Sequence, residues 1–176
     1  DWLARAVARL PEQTIIADGA QVPVAGRHLF ITHHPGPRRA PVVEGDRLIL
    51  QGGDQSSLGK RIEVWLKERA RAEVTTIARA CAATLGTKVG TIKMRDTKGQ
   101  WGACTHKGDM SFSWRLAMAP PDVLDYVAAH EAAHLLEMNH GPRFWAHVEA
   151  LRPNWRTQRN WLKAEGGTLH RYRFKA

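Results

Sequence analysis

Two histidines four residues apart, His130 and His134, with Glu131 beside the first and His140 six residues beyond the second, constrain this chain more than any other stretch. On a helix such a pair projects from one face, about a turn apart, so two imidazole nitrogens can reach one ion. That is half of a zinc site. Zinc chemistry also asks for a third protein ligand, an open position for water and a nearby base. Glu131 is the natural base and His140 the natural third ligand. The third ligand sets a condition on the backbone: were the helix to continue, His140 would lie about 15 Å along the axis from His130 and roughly 80° off its face. The spacing therefore predicts a helix that stops near Met138, with Asn139 as a left-handed terminator and Gly141-Pro142 opening a new helix that turns the chain back. Two rival third ligands stand beside His140. Glu137 lies too far along the helix to close a tetrahedron comfortably, and Glu149 serves only if the following helix folds back deeply.

The remaining residues supply a frame for that stretch. Pro120-Pro121-Asp122 starts the helix, and Val123, Val127, His130, His134 and Met138 fall within a sector of about 80°, which makes it the inward face. Upstream, Met110, Phe112, Trp114, Leu116 and Met118 alternate with Ser111, Ser113, Arg115, Ala117 and Ala119, which predicts a strand with one buried face. Gln100 to Thr105 is its expected partner, joined through His106-Lys107-Gly108-Asp109, and Val89 to Met94 is also strand-like. Leu58, Ile62, Trp65, Leu66, Ala70, Val74, Ile77, Cys81 and Leu85 recur at three and four residues and end at Gly86: a long amphipathic helix with a glycine cap. Ser57-Leu58-Gly59-Lys60 lacks the upstream glycine of a phosphate loop. From Thr14 to Leu50, short apolar pieces separated by turn residues predict a small antiparallel β unit, and residues 1 to 10 a short helix. His33 and His34, neighbours on a strand, point to opposite faces and read as polar surface. After Pro153, a last helix over about Trp155 to Glu165 packs through Trp155, Trp161 and Leu162, and Gly166-Gly167 releases the tail. The expected organisation is a small β-rich lobe over residues 1–55 followed by a catalytic domain over 56–176, together an α+β fold.

Charge and cysteine usage narrow the setting. Two cysteines, Cys81 and Cys104, are too few for a disulfide framework and fit a reducing compartment. No apolar run approaches membrane-spanning length, so a soluble, cytoplasmic protein without a membrane partner is expected. The net charge is +9, and residues 141–176 carry eight Lys and Arg against two Glu, six of those nine charges. With Trp155, Trp161 and Tyr172 interleaved, this segment suggests non-specific nucleic-acid contact, against the plainer reading of a solvated basic surface with core tryptophans.

Arg95-Asp96-Thr97, Trp101-Gly102-Ala103-Cys104, Phe112-Ser113-Trp114-Arg115-Leu116, Met118-Ala119-Pro120-Pro121, His130-Glu131-x-x-His134 and Met138-Asn139-His140-Gly141-Pro142-Arg143-Phe144-Trp145 together resemble the YgjP-like metallopeptidase family, a zincin family related to the SprT-like proteases. The resemblance is close over residues 88–174. It implies a minimal zincin core, an active-site helix packed on a small antiparallel sheet, with His130, His134 and His140 as ligands of one zinc ion per chain and Glu131 as general base. It also implies that the strand before the active-site helix borders a cleft for an extended protein or peptide substrate. The family pattern reads Arg-Trp-Gly-Ser-Cys where this chain has Gln100-Trp101-Gly102-Ala103-Cys104, so neither that arginine nor that hydroxyl is present.

The reaction so implied is peptide hydrolysis by a zinc-activated water, with Glu131 taking its proton and returning it to the leaving amine. His147, Arg143, Tyr126, His170 and Tyr172 are candidates for oxyanion or substrate contacts, and the residues do not choose among them. SprT-like relatives act on proteins attached to DNA, which adds kinship to the charge argument for nucleic acid. Two rivals remain. Cys104 in place of His140 would make the Cys-His-His set of a peptide deformylase, but the glutamine-glycine motif of that enzyme is missing. A non-catalytic nucleic-acid-binding module with structural zinc would need a fourth protein ligand, and three obvious ones exist.

Overall fold

A computed structural model describes residues 12–175; the helix expected over residues 1–10 lies outside them. The long helix is the spine of the molecule. α1 (Leu58–Thr84) buries Leu58, Ile62, Leu66, Ala70, Val74, Ala78 and Cys81 along one face. Gly86, at φ +74°, closes it as the Thr87 N–H donates to the Ala82 carbonyl at 2.9 Å, the left-handed ending that glycine permits.

The N-terminal sheet comprises β2 (Gln21–Val24), β3 (Arg27–His34), β4 (Val42–Glu44) and β5 (Arg47–Gln51) in the order β2-β3-β5-β4. It is mixed, with β3 and β5 parallel, where an antiparallel unit was expected. The two prolines of Pro35-Gly36-Pro37 have no N–H to donate to a ladder, so the chain leaves the sheet after β3. The β4–β5 hairpin, turned at Gly45 (φ +59°), then sets β5 beside β3. Val22, Val24, Leu29, Ile31, Leu48 and Leu50 form its buried face. His33 and His34 sit at the end of β3, and the His33 ring nitrogen Nε2 bonds the Gly52 carbonyl at 3.2 Å.

The second sheet, β6 (Ile92–Arg95), β7 (Gly102–Cys104) and β8 (Met110–Ser113), has the order β6-β8-β7, with β6 parallel and β7 antiparallel to β8. The hairpin between β7 and β8 turns where expected, with Gly108 at φ +86°. The strand is shorter than its alternation predicts: Trp114–Met118 is a 3₁₀ helix, started by the Ser113 hydroxyl accepting from the Arg115 N–H. Residues 114 to 119 are all buried, so there is no exposed face for the alternation to describe.

The segment then enters α2 (Pro121–Ala133), which packs on α1 and on β7, followed by α3 (Pro142–Leu151) and α4 (Trp155–Glu165). The tail is not released after Gly166-Gly167. It makes a 3₁₀ turn over Gly166–Arg171, and β9 (Tyr172–Arg173) pairs in parallel with β1 (Thr14–Ile15). Leu169, Tyr172 and Phe174 are buried. The path passes so close to α1 that a Cβ on Gly59 would lie 2.2 Å from the Phe174 carbonyl oxygen. One contiguous buried cluster runs from Ile16 to Phe174. No helix among the described residues is long and apolar enough to cross a membrane.

Candidate metal centre

α2 ends earlier than the pattern predicts, at Ala133, with His134 as its capping residue. The cause is local. The N–H groups of His134, Leu135 and Leu136 bond three residues back, at 3.2, 3.0 and 3.1 Å, which tightens the last turn. The His134 ring nitrogen Nδ1 then takes the Glu137 carbonyl at 2.9 Å and draws the chain round. Asn139 is not left-handed; Ala25 alone among the described non-glycine residues has positive φ. The reversal brings His140 back over the helix it has just left.

The ligand-type atoms of His130, His134 and His140 all lie within 4.8 Å of one another. His130 Nε2 and His140 Nε2 are 3.3 Å apart, close to the roughly 3.3 Å between two tetrahedral donors each about 2.0–2.1 Å from zinc. Because a carbonyl only accepts, the bond to Glu137 places the proton of His134 on Nδ1 and leaves Nε2 with a bare lone pair. On His130, Nδ1 faces the Tyr126 hydroxyl at 3.2 Å. Burial, then the neighbouring His134 and His140 and the charge of Arg159, pushes His130 down to about 3, so the ring is neutral, as a ligand must be. Burial likewise lowers His134. These donors fit a divalent ion that prefers nitrogen ligands.

Aromatic rings form the wall. Phe144, fully buried on α3, lies 4.9, 4.4 and 4.8 Å from the rings of His130, His134 and His140. Trp145 contacts His130 and His140 and stacks on Trp155 at 4.3 Å. Arg152, which follows α3, holds Asp125 of α2 through two hydrogen bonds and so fixes α3 against the metal-site helix.

Glu131 is 5% exposed, and burial pushes its carboxyl up to about 8. It lies against β7, where a Cβ on Gly102 would come within 2.8 Å of its Cγ and 2.9 Å of its Oε1. A glycine is required there for a steric reason. β7 is the outer strand of its sheet, whereas β8, the strand nearest the helix in sequence, is paired on both sides and has no edge to offer. The open edge beside Glu131 is therefore that of β7.

The rival ligands lie elsewhere. Glu137 Oε1 pairs with Arg143 at 3.0 Å, Glu149 accepts from Trp155 and Arg156, and Cys104, whose thiol is raised to about 11 by burial and by the charges of Glu131 and Asp109, is outside the histidine cluster. Among the other candidates, Tyr126 is buried behind His130, Arg143 is 86% exposed, and His147 is half-buried on α3. His170 packs on Trp101, and Tyr172 lines a different cavity with Pro120, Trp161 and Leu169. Of the three interleaved aromatics, Trp155 and Tyr172 are buried and Trp161 is half-buried against the core. The roles of Gly102 and Phe144 were not read from the sequence. Both stand inside segments that carry the family resemblance, and neither has a local pattern that marks its role.

A sequence model described as YgjP-like, metallopeptidase domain, matches residues 1–165. No curated protein matches. Among solved structures, the metallopeptidase zymogen of Pyrococcus abyssi abylysin is similar at 19% identity and a TM-score of 0.47, over 53% of this chain and 95% of that one.

Proposed function

This chain belongs to the YgjP-like metallopeptidase family, and from that premise we propose that it is a zinc-dependent peptidase with one ion per chain held by His130, His134 and His140. The observation that carries the assignment is the convergence of three imidazoles within 4.8 Å, two of them with Nε2 atoms 3.3 Å apart, beside a buried carboxyl. When bound, zinc lowers the pKa of a water toward neutrality and polarises the scissile carbonyl.

Glu131 is the general base. Its carboxylate takes a proton from the attacking water and passes it to the departing amine nitrogen. Burial alone holds the group protonated near neutrality, and a divalent cation beside it favours the anion, so metal binding and readiness of the base go together. Tyr126 and the Glu137 carbonyl orient two of the imidazoles from behind. An extended peptide adds by main-chain pairing along the open edge of β7, which sets its backbone beside Glu131. Cys104, whose thiol donates to the Thr105 carbonyl at 3.4 Å, takes no part in the reaction.

Elemental analysis of the purified protein, of His140→Ala and of Glu131→Gln tests this reading. One zinc per chain is expected in the parent and in Glu131→Gln, with binding weakened in His140→Ala. Peptide hydrolysis should fall about 10²–10⁴-fold in Glu131→Gln, the loss of a general base. Stoichiometric zinc unaffected by His140→Ala would remove that residue from the ligand set.

A further inference from the structure

Beside the histidine cluster stands a cation with no partner among the described residues. Arg159, exposed on α4, makes no hydrogen bond or ion pair among the described residues. Its guanidinium carbon lies 5.4 Å from the Trp145 ring and 6.0 Å from that of Trp155. Trp145 is also the ring that contacts His130 and His140, at 5.8 and 6.1 Å. One indole thus bridges the arginine and the metal site, and the charge of Arg159 reaches both His130 and Tyr126.

The plain reading is a solvated surface arginine, and Arg156 shows what a structural one looks like. It rests on Trp155 at 4.4 Å and pairs with Glu149 at 3.4 Å. Arg159 has the aromatic support without the anion. Three carboxylates of α2, α3 and the turn between them are already engaged: Glu149 by Trp155 and Arg156, Asp125 by Arg152, Glu137 by Arg143. Indole faces restrict a guanidinium while leaving its N–H fork free, and that fork matches a carboxylate in two parallel hydrogen bonds.

We infer that Arg159 is a specificity-determining residue that binds a carboxylate of the peptide in the cleft, either an acidic side chain or the C-terminal group. This rests on the peptidase reading above.

The test uses full-length, zinc-loaded Glu131→Gln protein, which retains peptides instead of cutting them, immobilised against three randomised hexapeptide pools. One pool has a free C-terminus and no Asp or Glu, one is the same but amidated, and one is amidated with Glu at a single position. Enrichment is read by mass spectrometry. A carboxylate-bearing pool should be retained about tenfold over the neutral amide, as a charge-assisted fork provides. Which pool is enriched tells the two carboxylate sources apart. Arg159→Ala and Arg159→Met should abolish the advantage, Arg159→Lys keep part of it, and circular dichroism stay unchanged. Equal retention of all pools, retention of none, or an advantage that survives Arg159→Ala overturns the inference. Zinc content of the same preparations reports separately on the metal site, so absence of zinc would sink the peptidase reading whatever the peptides do.

Discussion

Arg115 and the histidine cluster, which runs from buried His134 through half-buried His130 to exposed His140, use their hydrogen-bonding capacity in opposite ways. Arg115, 9% exposed, commits each of its three nitrogens to the fold. Nε and Nη2 donate to Asp96 at 2.7 and 3.3 Å, and Nη1 to the carbonyls of Leu169 and Tyr172 at 2.9 and 3.1 Å. Trp114 covers one side of the guanidinium, 4.7 Å away. The imidazoles of His130 and His134 spend only their outer nitrogens. Their inner ones converge with those of His140 within 4.8 Å, and that of His134 has a lone pair to give. A buried polar group that commits its donors to neighbouring acceptors holds a fold together, whereas a set whose uncommitted nitrogens converge on one place is built for a ligand.

Removing Arg115 should cause the larger loss of stability. Arg115→Met leaves two carbonyls without their donor, at about 1–3 kcal/mol for each buried group, so urea denaturation should show a loss of about 3 kcal/mol. Asp96→Asn should cost less than about 1 kcal/mol, because the Asp96 side chain is 47% exposed and water screens the pair. The folded fraction of Arg115→Met should keep its zinc. If zinc affinity fell in step with stability, the two regions would be one coupled unit and the contrast would not stand.

Gly102→Ala probes the other side of the comparison. An added methyl group would meet Glu131 at 2.8 Å, and the carboxylate must move or the strand must yield. Peptide hydrolysis should drop about 100-fold through misplacement of the base, with zinc content unchanged. Gly99→Ala, where nothing lies within 4 Å, is the matched control and should be neutral. An active Gly102→Ala protein would mean that the position of Glu131 is not what limits catalysis.

The legible and illegible parts of this chain divide along a related line. Helical period alone placed His130, His134 and the core face of α1, and the need for His140 to return foretold the chain reversal. The point of reversal was misjudged by about five residues, because it is decided by a side chain, His134, bonding the backbone at Glu137. Arg115 was read into a strand because Trp114 to Ala119 alternates in polarity. Its partners lie 19, 54 and 57 residues away, and no local pattern reports them. The parallel pairings β3–β5, β6–β8 and β1–β9 escaped for the same reason, since strand order is chosen by distant contacts. The mixed sheets and the docked tail follow from those contacts.

The smallest expected effect separates two ways of orienting a ligand. His130 is held from behind by a side chain, the Tyr126 hydroxyl at 3.2 Å, and His134 by a backbone carbonyl, that of Glu137 at 2.9 Å. Tyr126→Phe keeps the ring, its edge-on packing against His130 and its burial, and removes only the oxygen. Loss of an outer hydrogen bond to a ligating histidine costs about tenfold or somewhat more in metal affinity, which competition with a chromogenic chelator measures directly. Glu137→Ala is the counterpart. It deletes the carboxylate that pairs with Arg143 but leaves the carbonyl that holds His134, so zinc affinity should not change. Unchanged affinity in Tyr126→Phe would reduce Tyr126 to packing. Weakened affinity in Glu137→Ala would show instead that its pairing with Arg143 secures the turn from Glu137 to His140.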